Sequence, residues 1–260
     1  MPRLKEYLIA QKKTKSVLKD VAKNAFVGIT EKELAKNLQH KLEKAGAISF
    51  FHYPVVWFGS RTGLLKANKK TNPFPQERRL KAEEIFILDV APIFKNGIVV
   101  DSSTTSSIQN STFLQECAEL KKSLKESIPK WVSNEMNIND ICTKSYDLMS
   151  TSGFKSCQKR YLFSAFGHRL FSSSPLTKKP FIGLSIGSAI KLFGKAALSK
   201  ISPAVEYPFW NESGHCAKPP NIGIWSIEPH FAKDNLGFKW EEILVVNGKE
   251  TSWLSEEKFI

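Results

Sequence analysis

Five residues in this chain have the types and the placement to hold metal ions. Asp89 follows the apolar run IFIL, Asp101 follows IVV, His168 closes YLFSAFGH, Glu228 follows IGIWSI, and Glu241 stands ahead of ILVV with Glu242 beside it. Acids rarely sit against apolar strand segments unless they are paired or bind a metal. Four carboxylates and one imidazole on strand ends make a mixed oxygen and nitrogen site, which suits Mn, Fe, Co or Zn. With that many anionic ligands, two ions are easier to justify than one. A pair roughly 3.5–4 Å apart would polarise a carbonyl and hold a bridging hydroxide. Each residue alone has an ordinary reading: an Asp after an apolar run caps a turn, a His after Gly is a partly buried hydrogen-bonding group, and a Glu at a strand end is solvated. The case rests on all five together.

The elements that must position them follow from periodicity and caps. Apolar residues from Leu4 to Phe26 fall at helical spacing, with Gly28 as a C-cap candidate. Thr30 and Glu33 form a Thr-x-x-Glu capping box at the head of a second helix, which Gly46 closes. The β-branched and aromatic stretch ISFFHYPVVWFGS predicts a strand, and 60–80 a loop. IFILDV and IVVD read as a hairpin turning at Asn96–Gly97. Helices are predicted over 111–129 and 137–150, a strand at 161–168, and an amphipathic helix near 185–200. Strands IGIWSIE and EEILVV close the pattern, with turns at Asp234–Gly237 and Asn247–Gly248. The order helix, helix, strands, helix, helix, strands suggests two similar halves.

On these motifs the chain resembles the pita-bread metallopeptidases, which include methionine aminopeptidase, aminopeptidase P, prolidase and creatinase. ILDV at 87–90, DSST at 101–104, FGH at 166–168, SIEP at 226–229 and EEILVV at 241–246 stand in the family's order, and GITEKELAKNLQHKLEKAGA resembles its first helices. The resemblance implies an α+β pita-bread fold, a pseudo-twofold curved antiparallel sheet backed by helices, and a dinuclear centre. It implies one catalytic domain over 1–260, with an insertion at about 169–220. Carried over, Asp89 would chelate one ion, Asp101 and Glu241 would bridge both, and His168 and Glu228 would hold the other, with Glu228 also shuttling a proton. Glu241 is preferred to Glu242 because strand alternation turns only one of them inward.

The pattern departs from the family in three places. Asp89 and Asp101 are twelve residues apart, one more than usual, which a longer turn or bulge would absorb without turning Asp101 outward. The family's histidine ahead of the first Asp is missing from NKKTN at 68–72, and the one after the metal histidine is missing from RLFSSSP. Each lost donor removes on the order of 2–4 kcal/mol of transition-state stabilisation. His52, His215 and His230 are the available substitutes, each with a structural role as the simpler reading. Glu228 follows His168 by 60 positions, a gap long enough to set an amphipathic segment over the site.

The bulk numbers exclude little and favour a globular protein. With 260 residues, 42% apolar content and six Trp, the chain can bury a core. The formal charge of +13 is scattered, and its lysine runs are not interleaved with aromatics as nucleic-acid binding would need. Cys117, Cys142, Cys157 and Cys216 form no CxxC pair, which points to reduced thiols and a cytoplasmic protein. No stretch is apolar for long enough to span a membrane, and the sequence does not reach the oligomeric state. The expectation is a metal-dependent hydrolase, aminopeptidase-like or dipeptidase-like, acting on a small peptide or amide. The alternatives are a family enzyme with non-peptide chemistry, and a retired member that binds a protein or nucleic acid through its basic surface.

Overall fold

The structure, a computed structural model, describes residues 3–63, 72–171, 186–202, 204–248 and 250–255. Two helical pairs back a set of antiparallel sheets. The first half holds α1 (Leu4–Lys23), α2 (Glu31–Lys44), β1 (Ala47–Phe50), β2 (Val55–Phe58), β3 (Ile85–Val90), β4 (Pro92–Phe94), β5 (Ile98–Val99) and β6 (Ser102–Ser107). The second half holds α3 (Thr112–Ser133), α4 (Ile138–Thr151), β7 (Lys155–Ser156), β8 (Gly167–Arg169), α5 (Ile186–Ile201) and β9 (Phe209–Trp210). It continues with β10 (Gly223–Ile227), β11 (His230–Lys233), β12 (Leu236–Lys239), β13 (Glu242–Val246) and β14 (Ser252–Trp253). The sheet orders are β1-β4-β5, β2-β3-β6, β12-β11-β7 and β14-β13-β10-β8-β9.

Strand alternation divides the core from the site. In β3, Phe86, Leu88 and Val90 pack with Leu34, Leu38 and Leu42 of α2, while Asp89 lies on the opposite face. A second core joins Leu120, Leu124 and Ile128 of α3 to Trp225 and Ile227 of β10 and Leu244 of β13. The Thr30 capping box is present: Thr30 Oγ1 accepts from Glu33 N at 3.1 Å, and Glu33 Oε2 accepts from Thr30 N at 2.8 Å.

Several expectations are revised. The stretch ISFFHYPVVWFGS is two strands in different sheets, broken at residues 51–54 where Pro54 has no N–H to donate. YLFSAFGH is mostly tight turns, with Phe163 and Ser164 at φ 60° and 49°, and only Gly167–Arg169 is strand. Helix α1 stops at Lys23, ahead of the expected end, where the Asn24 side chain bonds the Asp20 carbonyl at 2.8 Å. Helix α3 runs past Pro129 rather than ending there. A helical proline withdraws the N–H that would bond the carbonyl four residues back, here that of Lys125. The indole Nε1 of Trp253 donates to that carbonyl at 2.7 Å, so β14 supplies the hydrogen bond the helix lacks.

The predicted loop at 60–80 and the expected insertion at 169–220 lie partly outside the described residues; within the latter, α5 is the amphipathic helix predicted near 185–200. Trp253→Phe keeps the ring and removes the donor to Lys125. The expected loss is about 1–2 kcal/mol of stability, read as a lower urea midpoint with an unchanged slope.

Candidate metal centre

Asp89, Asp101, His168, Glu228 and Glu241 converge on one buried site. Asp89 is held in β3 between Val55 of β2 and Ser103 of β6. Asp101 lies just ahead of β6, is buried and faces the site, and the chain between β4 and β5 passes through a tight turn over Lys95–Gly97 with Gly97 at φ 73°. His168 comes from β8, with Nε2 3.0 Å from Asp101 Oδ2 and Nδ1 3.3 Å from the Arg169 carbonyl. Glu228 leaves the end of β10, where its N–H donates to the Phe166 carbonyl and its carbonyl accepts from Gln158 Nε2. Glu241 turns inward, while Glu242 turns away to Lys15 and Lys125 at 2.6 and 2.5 Å.

Two further residues enter. His52 sits in the break between β1 and β2, with Nε2 3.6 Å from Asp89 Oδ1 and 3.7 Å from Asp101 Oδ1. Its Nδ1 lies 2.9 Å from the Tyr53 carbonyl, an acceptor, so Nδ1 donates there and Nε2 is the nitrogen that faces the site. Lys239, at the end of β12, places Nζ 2.6 Å from Asp89 Oδ2, 2.5 Å from Glu241 Oε1 and 3.5 Å from Glu228 Oε2. Its side chain is 2% exposed.

Lys239 could be found from the sequence. It precedes Glu241 by two residues, and a period of two puts both on one face. His52 was legible only as one of three candidate histidines. His215 stacks on Tyr207 at 5.1 Å, against a different cavity. His230 lies beneath the site and does not face it: Nε2 donates to the Thr62 carbonyl at 2.7 Å and Nδ1 accepts from Tyr161 Oη at 2.6 Å.

The electrostatics follow from burying four acids together. Burial pushes the Glu241 carboxyl well up, aided by Asp101 and Asp89, and burial also raises Glu228 against the pull of Lys239 and His168. Asp101 is held well below its ordinary range, because the bond with His168 and the nearby His52 imidazole overcome its burial. Lys239 is held above its ordinary value despite burial, by Asp89 and Glu241. His230 is pulled down to about 3 by burial and by the Lys239 charge, so it is neutral. His52 is raised to about 9 despite burial, by its close approach to Asp101 and the charge of Asp89.

The donor set fits a divalent ion. Asp89 Oδ1, Asp101 Oδ1 and Glu241 Oε2 are buried with no hydrogen-bond partner among the described residues. Orphaned buried acceptors are costly unless something occupies them. Carboxylate oxygens beside an imidazole nitrogen match Mn, Fe, Co or Zn.

The cluster forms the floor of a cavity of about 350 Å³. Its walls are apolar and largely aromatic, including Phe51, Trp57, Phe163 and Phe209, and Leu192 and Phe193 of α5 close over it. Phe163 stacks on Phe209 at 4.6 Å and meets Phe193 at 5.7 Å.

Residues 5–247 match the model of metallopeptidase family M24. The chain belongs to that family. No curated protein sequence matches it. Among solved structures, a dipeptidase from Pyrococcus horikoshii OT3 aligns with a TM-score of 0.68 at 20% identity, over 98% of this chain and 60% of that one. A prolidase from Thermococcus sibiricus aligns at 0.67 and 17%, over 98% and 59%. An X-Pro aminopeptidase from Thermotoga maritima MSB8 aligns at 0.66 and 15%, over 95% and 59%. The chain therefore has the pita-bread fold, and spans about three-fifths of the length of these structures. Among the described residues no helix is long and apolar enough to cross a membrane, and all four cysteines are buried and free.

The raised His52 value stabilises the metal-free fold fully below its ordinary value of 6.5, and that contribution is lost as pH rises through about 9. The stability advantage of wild type over His52→Asn, both metal-free, is therefore expected to shrink across this window. One-fifth of the His52 side chain is in solvent, so the change is at most about 3 kcal/mol. Urea unfolding of both proteins at several pH values measures it.

Proposed function

We propose that this chain is a metal-dependent hydrolase that cleaves an amide bond in a small peptide-like substrate bearing an apolar side chain. The observation that carries the reading is the set of unpartnered carboxylate oxygens and the His52 nitrogen at the base of an aromatic cavity. His52, Asp89 and Asp101 are the residues that would hold divalent metal, with His168, Glu228 and Glu241 around it. When bound, such an ion polarises the scissile carbonyl and lowers the pKa of water.

The chain's own residues do the rest. The aromatic walls bind the apolar side chain and exclude water, and the carboxylate floor fixes the depth at which the amide stops. Glu228 is the proton carrier: its carboxylate stands beside the acid cluster at the cavity floor, where it can take a proton from water and pass it to the leaving amine, and burial raises its carboxyl above the ordinary range. His168 points its Nε2 at Asp101 while its Nδ1 faces a backbone carbonyl, which fixes the ring. Tyr161 stays protonated, with its hydroxyl directed to the neutral His230, so it lines the site without titrating.

The family's auxiliary histidines are absent from their usual sequence positions, and His52 is the imidazole that enters the site from elsewhere. A hydrolase built this way is expected to be slow rather than inactive.

The test is metal content by elemental analysis after loading with Mn, Co, Zn or Fe, followed by hydrolysis of dipeptides and tripeptides with apolar residues. Bound metal with measurable cleavage is expected, together with a fall in kcat of about 10²–10⁴-fold in Glu228→Gln at retained metal content. Absence of metal under every loading condition would refute the reading and leave a non-catalytic, partner-binding member. Bound metal without cleavage of any peptide would point to non-peptide chemistry.

A further inference from the structure

The resemblance puts two divalent ions among these acids, with both oxygens of Asp89 on one ion and Glu241 shared between the two. In this chain a side-chain ammonium already stands there. Lys239 Nζ contacts Asp89 Oδ2 at 2.6 Å and Glu241 Oε1 at 2.5 Å, so neither residue has both of its oxygens free. Glu228 Oε2, at 3.5 Å, completes a ring of three carboxylates around the nitrogen.

Lys239 is fixed in that place from two sides. Its backbone is clamped by Thr105, whose Oγ1 accepts from Lys239 N and donates to the Lys239 carbonyl, both at 2.9 Å. The Tyr161 ring lies 5.1 Å from the ammonium, and its hydroxyl is tied to His230.

The donors that remain free converge on a different point. His52, Asp89 and Asp101 each offer one ligand atom, and these atoms lie within 4.8 Å of one another. Two donors bound to one ion at about 2.0–2.2 Å can stand up to about 4.2 Å apart. The 3.6 and 3.7 Å separations of His52 Nε2 from Asp89 Oδ1 and Asp101 Oδ1 fall inside that span. Both aspartate oxygens are buried and have no hydrogen-bond partner among the described residues.

We propose that Lys239 fills one of the two cation places in this carboxylate cluster, so that the chain takes up a single divalent ion, held by His52, Asp89 and Asp101. The inference rests on the metal-dependent reading above and fixes the number of ions and the nitrogen that meets them. A resident ammonium supplies positive charge that no chelator removes, and it leaves the histidine from the strand break as a ligand.

The experiment is manganese stoichiometry by calorimetry and elemental analysis on wild type, Lys239→Met and His52→Ala, with paramagnetic resonance of the manganese-loaded wild type. One ion is expected in wild type, with the hyperfine pattern of an isolated ion; two are expected in Lys239→Met. His52→Ala is expected to bind its ion at least tenfold more weakly, which a purely structural His52 would not produce. Because Lys239→Met can unfold the metal-free chain, the resonance spectrum of the wild type gives an independent answer. Two spin-coupled ions in wild type, an unchanged ion count in a folded Lys239→Met, or undiminished affinity in His52→Ala would each overturn the inference while leaving the metal-dependent reading intact. No ion in wild type under any loading would overturn that reading and the inference together.

Discussion

Four carboxylates cannot be buried side by side in water-poor surroundings unless cations or protons come with them. Asp89, Asp101, Glu228 and Glu241 meet this constraint with the Lys239 ammonium, with the imidazoles of His168 and His52, and with raised carboxyl pKa values where positive charge runs short. The rest of the architecture serves that balance. Strands β3 and β10 are buried along their whole length, and alternation in β3 sends Asp89 to one side and Phe86, Leu88 and Val90 to the other. The helical pairs cover the apolar sides, which leaves the polar residues nowhere to face but one another.

Neutralisation on this scale also explains why the neighbouring groups are locked. His230 is buried against the ammonium's field, and it is kept neutral with both nitrogens committed, one to a carbonyl and one to a phenol. A charged imidazole there would compete with Lys239 for the same acids. Glu242, one residue from Glu241, is directed to Lys15 and Lys125 and adds nothing to the central negative charge.

Much of this was legible in the sequence because it depends on local rules. The Thr30 capping box, the hairpin glycine at 97 and the choice of Glu241 over Glu242 follow from caps, φ preferences and a period of two. What escaped depends on tertiary context. The stretch around His52 reads as one strand by composition, yet Pro54 and the change of sheet break it, and the break is what aims the imidazole. YLFSAFGH is aromatic enough for a strand, but two residues at positive φ fold it into turns. The helix predicted to end at 129 runs on past Pro129, and the carbonyl that the proline orphans is met by a tryptophan more than a hundred residues away. Lys239 obeys the same alternation as Glu241, yet composition marks a lysine as surface, and only the surrounding acids make burial tolerable.

The chain of contacts from Thr62 through His230 and Tyr161 to Lys239 also has a mechanical meaning. The Thr62 carbonyl belongs to a tight turn after β2, and Thr62 Oγ1 also accepts from Gly237 N at 2.8 Å, in the strand that ends at Lys239. Gly237 packs so closely on that turn that a Cβ would stand 2.1 Å from the Thr62 carbonyl oxygen. The turn thus grips the lysine strand directly at one point and reaches beneath the ammonium through two rings at another. Any displacement of the turn is transmitted to the strand and the ring together, like a bolt passing through two plates. The position of the central charge is therefore geared to the backbone outside the cavity.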